Sequence, residues 1–288
     1  MNVIVQSMLT AGLASVAAAV FWLLGWRRRR AQVWLSALGL SAGFMVLYWR
    51  TLGRPDFPPI DATQWAFWVA LLALPLGWLA GIGAAYRWVW VWGALLGVLW
   101  LFVLPFRPLM ESGFWTPTVG VAHIVGFGIA TWLLMTLSAP LGDEPGAATP
   151  FLIATLGGIS AGMLFYGGKS ASLAQLSGTL GGIVGVAVPL GLLLRGFTVG
   201  RGAVTLVMLL LMLLWTTALG FASLTLGQLS LLYLLALTPA LYALSTLRRL
   251  SPLMRFTLPL AILVVVGGAA VGLQYNAYMS QGGDYYSY

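Results

Sequence analysis

Residues 203–222 read AVTLVMLLLMLLWTTALGFA, without a charge from end to end. A bilayer-spanning helix needs about 20 apolar residues, because each helical residue rises about 1.5 Å through a hydrocarbon core about 30 Å thick. The inner run Leu209-Leu210-Leu211-Met212-Leu213-Leu214 has no period-two alternation. A strand of an outer-membrane barrel needs that alternation, since one face meets lipid and the other the lumen. The stretch therefore reads as a membrane helix and argues against a barrel.

Similar runs lie to both sides, roughly at 3–26, 31–49, 65–85, 88–106, 117–138, 150–167, 171–194, 226–247 and 256–277. Across 288 residues, 60% are hydrophobic and 7% charged, and the mean hydropathy is +0.96. Soluble domains carry about a quarter charged residues. All six carboxylates (Asp56, Asp61, Glu111, Asp143, Glu144, Asp284) fall outside the long apolar runs, as expected where a charge at the bilayer centre costs several kcal/mol. The expectation is an all-α, polytopic transmembrane helix bundle of about ten spans. It forms one integral membrane domain over residues 1–288, with a mobile, polar, Tyr-rich tail at 278–288. Counting alone raises two five-helix halves, 1–145 and 146–288, the second inverted as in many transporters; no internal similarity accompanies the count.

The breaks are basic, proline-rich or glycine-rich, and their charges orient the chain. With the N-terminus outside, the inner loops hold Arg27, Arg28, Arg29, Arg30, Arg87, Arg195, Arg201, Arg248, Arg249 and Arg255, and the outer loops hold Arg50, Arg54, Arg107 and Lys169. Basic residues favour the cytoplasmic side, so both termini are expected to be non-cytoplasmic, in a cytoplasmic-type (inner or plasma) membrane. Residues 3–26 have no basic n-region and meet the four arginines at their far end, so they read as a retained span and not a cleaved signal. The short gap at Gly167 to Ser170 leaves a re-entrant hairpin open for the sixth and seventh runs.

Composition also excludes chemistry. The chain has no cysteine and a single histidine, His123, so thiolate sites and multi-histidine metal or haem sites are not expected. No cofactor, metal or catalytic residue is assigned. The net charge of +8 comes from arginines scattered between apolar runs. It reads as topology signals and headgroup contacts and not as a nucleic-acid surface. The expected partners are the bilayer, other membrane proteins or further copies of the chain.

Helix packing is expected at small-xxx-small pairs, including Gly39/Gly43, Gly77/Gly81, Gly93/Gly97, Gly158/Gly162, Gly178/Gly182, Gly181/Gly185 and Gly268/Gly272, because small residues let helix backbones approach in lipid. Trp88, Trp90 and Trp92 alternate as in a strand, but their run is too long for one; on a helix Trp88 and Trp92 share a face that Trp90 leaves. Trp26, Trp49, Trp65, Trp88 and Trp115 stand near run ends, where an amphipathic indole is stable.

Candidate sites are few. Gly158-Ile159-Ser160-Ala161-Gly162 matches a nucleophile-elbow pattern but has no preceding strand, and its only available base is His123. A hydroxyl bonded within its own helix is the plainer reading. Gly167-Gly168-Lys169-Ser170 ends like a phosphate loop, but Met163 stands where that loop needs its first glycine. Lys169, Ser172, Gln175 and Thr179 form the most polar deep stretch, with Ser170 and Ser177 beside them. With His123 they are the candidate substrate path, the alternative being interhelical hydrogen bonds and a snorkelling lysine. Arg107 and Glu111 are expected to pair in an outer loop, and Glu111 is a conceivable partner for His123.

These residues favour a permease or channel-like carrier for a small neutral or apolar solute, since ion-coupled carriers usually use buried carboxylates. The alternatives are a non-catalytic scaffold subunit of a larger membrane complex and an intramembrane lipid-handling enzyme.

Overall fold

The computed structural model describes residues 3–82, 87–244 and 249–280, with the side chains of residues 3–9, 29, 30 and 87 left aside. Most of the tail expected at 278–288 lies outside the described residues. Among the described residues the regular elements are all helical: α1 (Val3–Trp26), α2 (Arg29–Leu52), α3 (Ala62–Leu72), α4 (Leu74–Ile82), α5 (Arg87–Glu111), α6 (Pro117–Ser138), α7 (Ala148–Tyr166), α8 (Ala171–Gly185), α9 (Ala187–Leu193), α10 (Arg201–Phe221), α11 (Leu226–Ala243), α12 (Pro252–Ile262) and α13 (Gly268–Ser280). A 3₁₀ turn, Ala139–Asp143, extends α6, and a π turn, Leu263–Gly267, joins α12 to α13. Nine helical segments among the described residues are long and apolar enough to cross a membrane, and Thr10–Trp26 is a shorter apolar stretch.

Local chemistry sets many of the boundaries. Asp61 caps α3 by accepting from the Gln64 N–H, Thr116 caps α6 through the Val119 N–H, and Ser170 caps α8 through the Leu173 N–H. Thr225 and Gln228 form a reciprocal capping box on α11. Each satisfies a backbone donor that the first helical turn leaves without an intrahelical partner.

Three membrane-length segments are interrupted: α3/α4 at Ala73, α8/α9 at Val186, and α12/α13 at the π turn. Pro75, Pro189 and Pro259 lie close to these points. Proline has no N–H and its ring crowds the carbonyl four residues back, so it breaks or kinks a helix. Near the first break the buried Ser41 hydroxyl of α2 donates to the Ala70 carbonyl at 2.6 Å. A neighbouring helix thus supplies a partner that the disturbed ladder needs.

The axis of the bundle is α10. Residues 202–218 are buried without a gap, and α2 to α8, α11 and the 3₁₀ turn all pack around them. The last membrane-length segment is peripheral: 22% of the residues in its apolar stretch are buried, against 83% for α10. One close backbone approach joins α7 to α8, where a Cβ built on Gly157 would lie 2.6 Å from the Gly181 Cα. The seam is displaced by one residue from Gly158 and Gly182, where an added Cβ meets nothing within 4 Å. Of the other expected packing glycines, Gly162 faces Val271, Gly178 faces Ala161 and Gly185 faces Ala154. Gly39 and Gly43 bring α2 against the backbone of α1. Trp90 is 7% exposed while Trp88 and Trp92 are 73% and 57% exposed, the division that a helix requires of these three positions.

Candidate functional site

The polar stretch picked out in the sequence forms the α7–α8 turn and the outer side of α8. Lys169 takes a left-handed backbone conformation, φ +52°, in that turn. Leu173, Leu176, Ser177, Leu180, Ile183 and Val184 form the buried face of α8. Ser172 and Thr179 are half-buried and Gln175 is exposed. The Thr179 hydroxyl donates to the Gln175 carbonyl of its own helix at 2.9 Å. His123 has a separate neighbourhood on α6. Its ring stacks on Trp115 with centroids 4.7 Å apart and lies 5.3 Å from Phe127. Its Nδ1 is 2.8 Å from the Val119 carbonyl oxygen, to which the Nδ1–H tautomer donates. Glu111 is engaged by Arg107, with Nε 2.6 Å from Oε1.

Ser160 sits at a three-helix junction, fully buried. Its oxygen accepts from the Ser177 hydroxyl of α8 at 2.6 Å and from the Trp215 indole N–H of α10. Both donors are also fully buried. An unmade hydrogen bond is expensive in hydrocarbon, so this oxygen serves as a packing acceptor that two helices share. The elbow-like spacing around Ser160 is thereby accounted for by assembly.

The most organised polar group lies at one end of the bundle, on residues that the sequence presented only as breaks. Asp143 ends the 3₁₀ turn and Glu144 follows it. Asp143 Oδ2 takes Nε and Nη2 of Arg201, the first residue of α10, with the Nη2 contact at 2.6 Å. Glu144 Oε2 takes Arg255 Nη2 from α12 at 2.6 Å. The second pair is well covered, with 13% of the Glu144 side chain and 16% of Arg255 exposed. The Arg255 guanidinium also lies 4.2 Å from the centre of the Tyr242 ring on α11, a cation–π arrangement.

Backbone contacts lock the same region. The Gly200 N–H donates to the Gly142 carbonyl and the Gly146 N–H to the Phe197 carbonyl, both at 2.9 Å. Gly142 is required by this approach: a Cβ there would stand 2.3 Å from the Arg201 nitrogen. Gln32 of α2 reaches across to the Thr198 carbonyl at 3.0 Å. Two concavities flank the Asp143–Arg201 bridge. One, about 440 Å³, includes Trp26, Gln32, Gly81 and Thr198 in its lining; the other, about 470 Å³, includes Pro140, Glu144, Pro145 and Arg255.

This end collects chain segments whose basic residues the charge count had already grouped on one side. The missed signal was complementarity: Asp143 and Glu144 are the only carboxylates assigned to the side that holds ten basic residues. Chemically the arrangement is a clamp. Two adjacent acids hold the ends of two helices that are far apart in sequence, and no three His, Asp or Glu side chains gather around one point among the described residues. No protein family, curated protein or solved structure matched the chain.

Proposed function

We propose that the chain is a ten-span protein of a cytoplasmic-type membrane, with both termini outside, and that it serves as a non-catalytic scaffold subunit of a larger membrane assembly. The observation that carries this reading is the packed axis. Residues 202–218 of α10 are buried on every side, and the polar side of α8 that would have made a solute path is turned away from the α8 packing face. The clamp of Asp143, Glu144, Arg201 and Arg255 supports the same reading, since a well-covered pair such as Glu144–Arg255 fixes geometry more than it adds stability. The arginine-rich end then faces the cytoplasm, where basic residues are favoured.

A solute carrier is the second reading, favoured by the interruptions at Ala73, Val186 and Leu263–Gly267, because carriers bind substrates at broken helices near the midplane. Two measurements separate the readings. Native mass spectrometry of gently extracted membranes is expected to find the chain at fixed stoichiometry with other membrane proteins; recovery as a lone chain overturns the scaffold reading. Stopped-flow light scattering on proteoliposomes is expected to give the glycerol and urea permeability of protein-free vesicles. A protein-dependent flux establishes the carrier instead.

A further inference from the structure

The opposite end of the bundle carries a site of different chemistry. Between α2 and α3, Trp49, Arg54, Pro55, Asp56, Phe57, Phe67 and Trp68 line a concavity of about 460 Å³. Phe57 and Phe67 meet Trp68 edge-on, with ring centres 5.0 and 5.3 Å away and interplanar angles of 62° and 79°. Aromatic walls at steep angles, with a carboxylate at the rim, are the chemistry that recognises an alkylammonium ion.

The loop that carries these groups is pinned in place. The Trp68 indole N–H donates to the Asp56 carbonyl at 3.1 Å, and Gln64 Nε2 donates to Asp56 Oδ2 at 3.0 Å. Gln64 Oε1 accepts from the Ile60 N–H at 3.0 Å, and its own N–H donates to Asp61 at 2.9 Å. Yet Phe57 is 78% exposed and Trp49 56% exposed. Trp68 is held by its indole bond and the uncovered Phe57 ring packs edge-on against it, so these two rings form a preorganised surface, which is the condition for binding at small entropic cost.

A second concavity, about 590 Å³, lies beside the first. It is lined by Ala42, Met45, Val46, Trp49, Arg50 and Phe67, and so shares Trp49 and Phe67 with the aromatic one. Ala42, Met45 and Val46 lie within the membrane-length segment of α2. An aromatic and charged pocket thus adjoins an apolar groove along a membrane-length helix. Arg54 and Arg50 stand on these linings without a salt-bridge partner among the described residues.

We propose that this composite site holds one zwitterionic phospholipid of the surrounding leaflet. The alkylammonium group lies in the aromatic walls beside Asp56, the phosphodiester faces Arg54 and Arg50, and an acyl chain follows the α2 groove. Each part of the ligand meets its complement: cation with π faces and carboxylate, anion with guanidinium, hydrocarbon with Ala42, Met45 and Val46. A glycerol headgroup can offer Asp56 only neutral hydroxyls and brings no cation to the carboxylate or the rings. The proposal is independent of the scaffold reading.

Native mass spectrometry of the full chain, delipidated and then supplied with equimolar phosphatidylethanolamine, phosphatidylcholine and phosphatidylglycerol, tests it. One zwitterionic lipid is expected to be retained about fivefold over phosphatidylglycerol, the ratio for roughly 1 kcal/mol of cation–π and carboxylate attraction. Asp56→Asn combined with Phe57→Leu, both on the exposed loop, is expected to bring the ratio to parity. Arg54→Gln is expected to weaken retention of all three lipids together. Equal retention of the three lipids by the unaltered protein overturns the proposal, as does a preference that survives the double substitution in protein of unchanged helicity. Soluble phosphocholine that displaces the lipid at equal concentration overturns the lipid as occupant, because it makes the groove irrelevant.

Discussion

The central helix α10 and the last span, α12 to α13, are almost equally apolar, with mean hydropathies of 2.2 and 2.3. One is 83% buried in protein and the other 22%. In water such a difference would be written in the sequence as a polar face, because an exposed helix must present one. In a bilayer both surroundings are hydrocarbon-like, so the hydropathy pattern carries no instruction about which helix goes to the centre. The instruction lies in packing detail: Trp215 and its bond to Ser160 on the central helix, against exposed Val264, Val265 and Val266 on the peripheral one.

Three pairs of substitutions break or sharpen that contrast, each read as the free energy of denaturant unfolding in mixed micelles. The largest effect is expected at glycine positions. Gly157→Ala drives a Cβ to within 2.6 Å of the Gly181 Cα, where the backbone has no rotamer to yield, for a loss of about 3 kcal/mol. Gly268→Ala on the last span meets nothing within 4 Å and is expected to be neutral. Equal losses at both sites would mean that the last span is packed against protein.

Leucine truncation comes next. Leu210→Ala in α10 leaves a cavity around a fully buried position. The unfolded helix also sits in lipid, so the transfer contribution largely cancels and the cavity contribution remains, about 2 kcal/mol. Val265→Ala, 68% exposed on the last span, is expected to change stability by under about 0.5 kcal/mol. A loss at Val265 as large as that at Leu210 would erase the distinction between centre and rim.

The smallest effect concerns polar bonds. Trp215→Phe removes the donor to Ser160 and is expected to lose about 1 kcal/mol, the scale of a buried interhelical bond in a membrane protein. Thr257→Ala, whose hydroxyl bonds only to the Met254 carbonyl of its own helix, is expected to fall within about 0.3 kcal/mol of the unaltered protein. If Trp215→Phe were equally silent, the indole bond would contribute nothing to stability, and the Ser177 hydroxyl would be the partner that holds Ser160.

Particular residues divide what was legible from what was not. Helix against strand was legible at Leu209 to Leu214, and the separation of Trp90 from the face of Trp88 and Trp92 followed from helical spacing, although which side turns inward did not. The arginine positions raised an expectation about which loops share a side, and Gln32, Thr198 and Arg201 line one concavity. The glycine seam was legible only to within a residue, since Gly157 and Gly158 are identical in the chain and differ only in which side of α7 they take. The orientation of Ser172, Gln175 and Thr179 was not legible, because a polar helix side can line a cavity or face outward with the same spacing. The joining of Asp143 to Arg201 and of Glu144 to Arg255 was hidden by sequence separations of 58 and 111 residues.

The sequence by itself determined that this protein is helical and built for a membrane, through the lengths of its uncharged runs and the confinement of charge to their ends. Length and hydropathy act on each segment alone, so one segment suffices to read them. Only the tertiary structure decided that α10 is the axis, that Ser160 is shared by two donors, that the acids of one loop clamp α10 and α12, and that Trp49, Phe57, Phe67 and Trp68 line one concavity with Asp56. Each of these is a relation between segments, set by side-chain shape and hydrogen-bond satisfaction in a medium where hydrophobicity no longer discriminates inside from outside.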